Sequence, residues 1–579
     1  MKTKLPFKVV IGLALLSLAA STVLRAAKPE PRTAELTRLI DQYFDFYFQN
    51  HPTVATADGF HQYDEKLEDF SRPAIDSEIA GMKKFQSQFE AFSQSDLPPD
   101  AVVDRDLVTS SIKARLLELE GVQMWRKDPD QYTSSASYSV FLIMKRNFAP
   151  RAERLRSVIA RERQIPKVFE AARRNLENPP RVYTEVALQQ LPDVIGFFKT
   201  DVPAAFASVK DPKLVSEFKQ SNGQVVRALQ NYENFLRADL LPNSRGDFRI
   251  GAENYSKKLL YEEMVDVPID HLLELGYADL RRNQEQLKAA TAKLDSKKSP
   301  REVLAGLQKN HPAPAQLLPS FRTKLVDLRQ FIEQRHIVTI PSQIMPTVEE
   351  TPPFARALTT ASMDTPGPYE TKATEGIFNV TLPDSKWNRA RTEEWMEGFN
   401  HGVITSTAIH EVFPGHYTQF LWVQRAPSKA RKLLDCGSNA EGWAHYTEQM
   451  MLDEGYGKDD PTLRVGQLQD ALLRDARFIA GIEMHTGKMT MEQAKQFFIE
   501  QGYQVPAVAD VEAKRGTSDP TYLVYTLGKL EIMKLRDDYR KMKGDQFSLL
   551  EFHDRFMEQG AVPLKIIRKT MIGDDSPTL

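Results

Sequence analysis

One short segment of the chain contains two histidines and a glutamate in an order typical of metal-dependent hydrolysis. His410 is followed directly by Glu411, and His416 comes six residues after His410. In the common helical zinc motif the two histidines are four residues apart, so both lie on one helix face while the glutamate acts as general base toward metal-bound water. The residue types therefore indicate a zinc site, although the spacing differs from that motif.

The Pro414–Gly415 pair lies between the two histidines and accounts for the longer spacing. In a straight helix, six residues would leave His416 rotated by about 120° from His410. Proline lacks an N–H and its ring clashes with the carbonyl four residues earlier, whereas glycine tolerates unusual dihedral angles. We therefore expect a kink at Pro414–Gly415 that turns His416 back toward His410.

A catalytic zinc site needs a third protein ligand and keeps one position open for water. A second segment places Glu441, His445 and Glu448 at i, i+4 and i+7, on one face of a predicted helix. We select Glu441 as the third ligand, with His445 as the alternative, and expect Glu448 to orient a ligating histidine. The spacing alone leaves a metal-free interpretation open, with an ordinary surface His–Glu pair and a structural His445.

The elements that carry these segments are predicted to be mostly helical. From about residue 33 to 335 apolar residues recur with a helical period, and prolines separate successive helices. Predicted helices in this region include 34–48, 104–119, 151–176 with a break at Pro166, and 269–294. Further helices are predicted at 391–425, 438–455, 463–486, 490–501, 519–543 and 548–559.

Between residues 336 and 390 the pattern changes to short β-branched runs. Residues 336–340 (HIVTI) and 376–382 (GIFNVTL) each precede a proline and are predicted as strands of a small sheet. We accordingly divide the chain into a signal peptide at 1–27, a helical region at 28–335, a β and loop region at 336–390 that edges a cleft, and a helical catalytic region at 391–579. Residues 28–579 are expected to form one compact unit.

The N-terminus has the features of a secretory signal. Three lysines precede an apolar stretch at residues 9–20, which as a helix spans about 18 Å and is too short for a bilayer core of roughly 30 Å. We expect an exported protein, periplasmic or secreted, without stable membrane insertion after processing. An uncleaved N-terminal anchor is the alternative. Cys436 is the only cysteine and is far from this region, so no lipid-attachment site is expected there.

The composition excludes several classes of protein. Of 579 residues, 27% are charged and 41% hydrophobic, which is ordinary for a globular chain and excludes a disordered or multi-span membrane protein. The net charge of −2 gives no basic excess that would indicate nucleic acid as a partner. A single cysteine forms no internal disulfide, and Cys436 is expected to be a buried, small apolar residue.

Several blocks of the chain resemble a bacterial family catalogued as domain of unknown function 885, which is grouped with the zincin metallopeptidases. The blocks are HEVFPGH (410–416), EGWAHYTE (441–448), RGTSDPTYLVYTLGKLEIMKLR (515–536) and FHDRFMEQGAVPL (552–564). Weaker blocks at 251–260, 376–384 and 484–494 extend the resemblance over roughly residues 35–575. It implies a mainly α, large helical zincin-like fold with a deep cleft and one small β-sheet.

The resemblance also implies roles for individual residues. One Zn²⁺ would be bound by His410, His416 and Glu441, with Glu411 as general base. Candidates outside the ligand set are Tyr525 as donor to the oxyanion, His485 as second donor or substrate-binding residue, and Arg515 and Arg536 for a peptide carboxylate. For each, a structural role is the alternative: a packed aromatic ring, a hydrogen-bonded histidine or a salt bridge. Strand 376–382 is expected at the edge of the sheet, where an extended peptide could pair with it.

The predicted function is hydrolysis of peptide bonds in short peptides by metal-activated water. An amidase acting on non-ribosomal peptides, cell-wall fragments or other acyl amides is a second hypothesis. A binding protein that has kept the fold without turnover is a third, and the intact Glu411 argues against it because a binder has no need for a base.

Overall fold

The structure, a computed structural model, describes residues 31–352, 356, 359–573 and 575–579. Within these residues helices dominate and the strands form a single three-stranded sheet, so the predicted mainly α fold with one small sheet is confirmed. The predicted signal peptide at 1–27 lies outside the described residues. None of the helices in the described part combines the length and apolar character that a membrane span requires.

The helices that precede the sheet come in chain order. They are α1 (Pro31–Asn50), α2 (Pro52–Ala57), α3 (Arg72–Glu90), α4 (Pro99–Leu116), α5 (Met124–Lys127), α6 (Asp130–Lys145), α7 (Arg151–Glu162), α8 (Ile165–Asn175), α9 (Arg181–Gly196), α10 (Val202–Ala205), α11 (Pro212–Phe235), α12 (Gly251–Lys258), α13 (Ile269–Leu294), α14 (Pro300–Gln308) and α15 (Leu317–Arg335). The break predicted at Pro166 separates α7 from α8, because proline is tolerated only in the first turn of a helix.

The sheet and the remaining helices follow. The strands are β1 (Thr347–Glu350), β2 (Ala361–Asp364) and β3 (Ile377–Val380). The helices are α16 (Arg389–Met396), α17 (His401–Glu411), α18 (His416–Val423), α19 (Lys429–Leu433), α20 (Gly437–Asp453), α21 (Pro461–His485), α22 (Met491–Glu500), α23 (Pro506–Ser518), α24 (Val524–Lys543), α25 (Leu549–Met557) and α26 (Leu564–Ile572). The predicted helix 391–425 is thus three helices, and α23 and α26 were not predicted.

The sheet corrects two predictions. Its order is β1-β3-β2, with β1 parallel and β2 antiparallel to β3. Strand β3 falls in the predicted run 376–382, but it is the central strand, so its backbone groups are already paired on both sides and it cannot add a peptide. The edge prediction was therefore wrong for this strand. The edge beside α17 is β2, which lies in a segment rich in proline and threonine that gave no strand pattern.

Residues 336–340 do not form the predicted strand. His336 ends α15 in a left-handed conformation with φ of 52°. Ile337 and Val338 are then buried in the core, while side chains take the carbonyl groups that a strand would pair. His553 Nδ1 lies 2.7 Å from the carbonyl oxygen of Ile337, and Trp422 Nε1 donates to that of Thr339 at 2.9 Å. The β-branched residues thus anchor a buried loop.

Four of the later helices form the frame of the candidate site. Helix α20 packs along α24, and α21 packs against α17, α20 and α24. Helix α17 ends at Glu411, and α20 begins in the segment that contains Glu441. The two motif segments, which are separated in the sequence, therefore lie on neighbouring helices.

Candidate metal centre

The chain turns sharply between α17 and α18, at the position where the sequence predicts a kink. Gly415 N–H donates to the carbonyl of Ile409 at 3.0 Å, and Trp443 Nε1 donates to the carbonyl of Pro414 at 2.8 Å. A Cβ at Gly415 would overlap the carbonyl oxygen of His410, so no larger residue fits there. The turn restarts the helix at His416 and brings its ring to 4.8 Å from that of His410, measured between centroids.

The three predicted ligands form a cluster in which both histidines are buried and Glu441 is partly exposed. One ligand atom from each of His410, His416 and Glu441 can be chosen so that all lie within 4.8 Å of one another. Glu441 Oε2 lies 3.3 Å from Nε2 of each histidine. The alternative ligand His445 is not part of the cluster, since its Nδ1 faces Glu448 at 3.2 Å.

The donor set fits a divalent cation of the zinc type. Two imidazole nitrogens and one carboxylate oxygen are the ligands of many catalytic zinc sites, with a further position left for water. Glu441 Oε2 is buried and has no hydrogen-bond partner among the described residues, although two imidazole Nε2 atoms are close to it. A buried carboxylate oxygen without a hydrogen bond is costly, and a shared cation would satisfy it.

Glu448 lies behind His410, as the sequence predicts. Its Oε1 is 2.7 Å from His410 Nδ1, on the side of the ring opposite to the Nε2 that faces Glu441. Glu448 is fully buried. Burial would raise its pKa, but Arg474 and the neighbouring histidines outweigh burial and lower it. Glu448 is therefore an anion that can accept a hydrogen bond from the Nδ1–H group of His410, which leaves Nε2 of His410 free as a ligand.

The pKa values of the cluster show how its histidines and carboxylates balance one another's charges without a metal ion. Burial alone would lower the pKa of His410, but the nearby carboxylates of Glu441 and Glu448 outweigh it and raise this pKa to about 9. Burial likewise opposes ionisation of Glu441, yet His416 and His410 lower its pKa well below the usual value. The metal-free cluster therefore holds its carboxylates as anions next to positive charge, the role that a bound cation fills equally well.

Glu411 stands beside the cluster at the end of α17. Burial raises the pKa of its carboxyl group, while His410 and His416 act in the opposite direction. The backbone of Met363, in strand β2, also acts to lower this pKa. The strand that the sequence did not predict thus lies beside the predicted base.

A cavity of about 830 Å³ lies next to the cluster. Glu441, Arg515 and Tyr525 line it on one side. Its other walls come from α1, α2 and α4 of the N-terminal region and from the loop at 365–368. The cavity is enclosed by parts of the chain that are far apart in sequence, which is consistent with the predicted cleft.

Tyr525 and Arg515 both line this cavity. The ring of Tyr525 lies 6.2 Å from the ring of His410, with an interplanar angle of 20°. Burial raises the pKa of Tyr525, with Glu441 adding to the effect, so its hydroxyl group keeps its proton at neutral pH. Arg515 is paired with Asp519 at 3.0 Å and keeps 39% of its side chain exposed, so some of its donors remain available.

Arg536 and His485 lie away from the cavity. Arg536 is eleven residues beyond Tyr525 in α24, about 16 Å along the helix, and its Nη1 contacts the Tyr446 hydroxyl at 3.2 Å. His485 is at the end of α21, 1% exposed, with Nε2 2.8 Å from the carbonyl oxygen of Gly516. Neither lines the cavity, so their contacts favour the structural alternatives.

Cys436 is buried, as predicted, but its surroundings are polar. The thiol is 2% exposed and donates to Glu263 Oε2 at 2.8 Å. Burial raises its pKa well above the usual value, and Glu263 adds to the effect. Cys436 is therefore a hydrogen-bonded thiol rather than a purely apolar filler.

The sequence analysis missed Arg474, which contacts both Glu448 and His410. Its Nη2 lies 3.0 Å from Glu448 Oε1 and 3.3 Å from His410 Nδ1. Its partners are 26 and 64 residues away in the sequence, and an arginine within a long amphipathic helix carries no motif. Only the packing of α21 reveals it.

Comparisons with known proteins agree with the fold but identify no activity. A sequence model of a family described as "Bacterial protein of unknown function (DUF885)" matches residues 52–571. A "putative lipoprotein of unknown function" from Shewanella oneidensis is similar in structure, with a TM-score of 0.77 and 29% identity over 93% of this chain and 99% of that chain. A "putative lipoprotein" from Colwellia psychrerythraea has a TM-score of 0.79 and 18% identity over 93% and 98%. No relative of the chain was found among curated proteins.

Proposed function

The chain belongs to the bacterial DUF885 family, and we propose that it is a metal-dependent hydrolase of the zincin type that cleaves peptide bonds in short peptides. The metal is Zn²⁺, one ion per chain, held by His410, His416 and Glu441. Glu411 is the general base. Export from the cytoplasm belongs to the same proposal, supported by the charged and apolar pattern at residues 1–27 and by the likeness, at 29% identity, to a protein described as a "putative lipoprotein of unknown function".

The observation that carries the proposal is the convergence of the three ligand atoms within 4.8 Å beside a cavity. The histidines come from two helices joined by a turn, and the glutamate comes from a third helix. A purely structural pair would not need a buried acid such as Glu411 beside the two histidines, whose charges act on its pKa. Nor would it leave Glu441 Oε2 buried without a hydrogen bond.

Each residue has a chemical task in this mechanism. A bound Zn²⁺ would supply a Lewis acid that lowers the pKa of water to roughly 7 and polarises the scissile carbonyl group. Glu411 accepts a proton from the attacking water and later donates it to the leaving amine. Its environment, in which burial favours the neutral form and the histidines favour the anion, suits both steps. Tyr525 donates its hydroxyl hydrogen to the oxygen that gains negative charge.

The cavity supports a short, extended substrate. A volume of about 830 Å³ falls within the range of small-ligand sites. Arg515 presents a partly exposed guanidinium group in the cavity wall, which suits the terminal carboxylate of a peptide. Folded proteins would be excluded because the N-terminal helices form the opposite wall.

The test combines metal content with turnover. Wild-type protein, His416→Ala and Glu411→Gln are purified, loaded with Zn²⁺ and dialysed, and zinc is measured by elemental analysis alongside hydrolysis of a short-peptide library. We expect about one zinc per chain in wild type and in Glu411→Gln, little in His416→Ala, and hydrolysis by wild type only.

Three results would contradict the proposal in different ways. If the wild-type protein takes up no zinc, the assignment of a metal centre is wrong. If wild type and Glu411→Gln both bind zinc and hydrolyse peptides equally fast, the assignment of Glu411 as general base is wrong. Zinc binding by wild type without turnover of peptides or other amides would favour a binding protein.

A further inference from the structure

Arg474 lies where the helices of the candidate metal centre meet. Helix α21, which carries it, packs against α17, α20 and α24. These helices bear His410, Glu448 and Tyr525. The Arg474 side chain is 11% exposed, so its guanidinium group is largely enclosed by them.

The guanidinium group contacts both oxygens of the Glu448 carboxylate. Nη2 lies 3.0 Å from Oε1, and Nη1 donates to Oε2 at 3.3 Å. Two parallel contacts of a planar group with a carboxylate restrict rotation as well as translation. Oε1 is the oxygen that faces His410 Nδ1 at 2.7 Å. By holding the carboxylate, Arg474 therefore sets the direction from which Glu448 contacts His410, the candidate metal ligand.

Arg474 is also the permanent positive charge next to Glu448. Glu448 is 0% exposed, and its other described partners are the imidazole rings of His410 and His445. An imidazole can be neutral, whereas a guanidinium group always carries its charge. A buried carboxylate without a charged partner is strongly unfavourable, so removal of Arg474 would leave Glu448 free to turn toward another donor.

The orientation of Glu448 decides which nitrogen of His410 is a ligand. With Oε1 at Nδ1, the Nδ1–H group donates to the carboxylate and the Nε2 lone pair points toward Glu441. Arg474 cannot replace Glu448 in this role because a guanidinium group has no acceptor. Its own approach to Nδ1, at 3.3 Å, is longer than that of Glu448.

We propose that Arg474 is a positioning residue of the metal centre, which fixes the Glu448 carboxylate and through it the ring orientation and tautomer of His410. The inference rests on the proposed function, since it concerns affinity for the metal. It adds Arg474 to the residues that orient His410 from behind, together with Glu448. Mutation of residues that orient a metal ligand typically lowers metal affinity by 10- to 100-fold.

The chain offers a matched control in Arg477. It lies three residues further along α21, its side chain is 10% exposed, and it forms two 2.7 Å contacts with Glu512. Its guanidinium group lies 5.2 Å from the Tyr525 ring, similar to the 5.5 Å of Arg474. Among the described residues, Arg477 makes no hydrogen bond or ion pair with Glu448 or His410. A general loosening of α21 would therefore affect both variants, whereas loss of the Glu448 contact would affect only Arg474.

The experiment measures Zn²⁺ affinity of the full metal-free chain by competition with a chromogenic chelator. The variants are Arg474→Met, Arg474→Lys, Glu448→Gln, the double variant Arg474→Met/Glu448→Gln, and Arg477→Met, each first checked for cooperative thermal unfolding. We expect Arg474→Met and Glu448→Gln each to weaken binding about 10- to 100-fold. The double variant should bind Zn²⁺ at least as tightly as whichever single variant binds it more weakly. The Zn²⁺ affinity of Arg477→Met should stay within about twofold of wild type.

Arg474→Lys keeps the charge and loses the planar two-point grip, so it should recover only part of the affinity. If Arg474→Met does not fold, the lysine variant carries the comparison and must still bind more weakly than Arg477→Met. Wild-type affinity in a folded Arg474→Met, an equal loss in Arg477→Met, or additive losses in the double variant would overturn the inference while leaving the metal centre intact. Absence of Zn²⁺ binding by wild type would instead overturn the proposed function and this inference with it.

Discussion

The backbones of Gly442 and Gly528 are in direct contact where α20 crosses α24. A Cβ at Gly442 would overlap the Cα of Gly528, and a Cβ at Gly528 would overlap the carbonyl oxygen of Ser438. Helix axes approach this closely only where the side chain between them is a hydrogen atom. Because Glu441 precedes Gly442 and Tyr525 lies one turn before Gly528, this crossing sets the separation between a candidate ligand and a candidate oxyanion donor.

Replacing Gly528 by alanine should therefore destabilise the protein and disturb the site. Extra carbon atoms in a close-packed interior cost about 1–3 kcal/mol, and more when the obstacle is backbone. We expect Gly528→Ala to lower the free energy of unfolding by at least this amount in denaturant titration. The matched control is Gly306→Ala in α14, where a Cβ meets nothing within 4 Å, and alanine should be neutral or stabilising. Equal stability of the two variants would contradict the crossing described here.

The turn at residues 412–415 could be predicted from the sequence because its causes are local. Pro414 has no N–H to continue the helix. At Gly415, the carbonyl oxygen of His410 occupies the space that a Cβ would need. The positions of Glu441 and Glu448 near His410 were also predictable, since the two residues are spaced to share one helix face. In the structure one of them reaches the cluster and the other lies 2.7 Å from His410 Nδ1.

The features that sequence reasoning missed depend on contacts between distant segments. Strand β3 was expected at the edge of the sheet from the family resemblance. The segments of β1 (TVEE) and β2 (ASMD) have no strand-like apolar pattern, yet both pair with β3. Arg536 fitted a family block, but its place three turns beyond Tyr525 in α24 decides that it meets Tyr446 instead of the cavity. Periodicity predicts helices, whereas the choice of neighbour is a property of the whole fold.

Replacing Tyr525 by phenylalanine should slow hydrolysis without affecting the metal. The ring would keep its position beside His410, while the hydroxyl donor to the developing oxyanion would be lost. Loss of one such donor typically lowers kcat by 10²- to 10³-fold. Steady-state kinetics on a short peptide and a parallel zinc titration would check this. A Tyr525→Phe variant with wild-type kcat, or with lost zinc, would assign the residue a packing role.

Arg515 should determine the preference for a free C-terminal carboxylate. A hydrogen bond to a charged group contributes about 1.5–3 kcal/mol, so Arg515→Met should raise KM for a peptide acid by about 10- to 100-fold and leave the corresponding peptide amide unaffected. The control is Arg536→Met, which removes an arginine that does not line the cavity. Kinetics on matched acid and amide peptides give the comparison. Equal effects of Arg515→Met on both peptides would show that the protein does not recognise the carboxylate through this residue.

Removal of the metal should destabilise the wild-type chain and have little effect on a chain without the cluster. A ligand that binds only the folded state stabilises it by about 4 kcal/mol at a concentration one thousand times Kd. The cluster joins α17, α18 and α20, so this stabilisation should act on the helices that form the site. We expect Zn²⁺ added to chelator-treated wild type to raise the midpoint of denaturant unfolding, and His416→Ala to show no such shift. A full shift in His416→Ala, which keeps His410 and Glu441, would show that the stabilising zinc does not need His416 and would contradict the assigned ligand set.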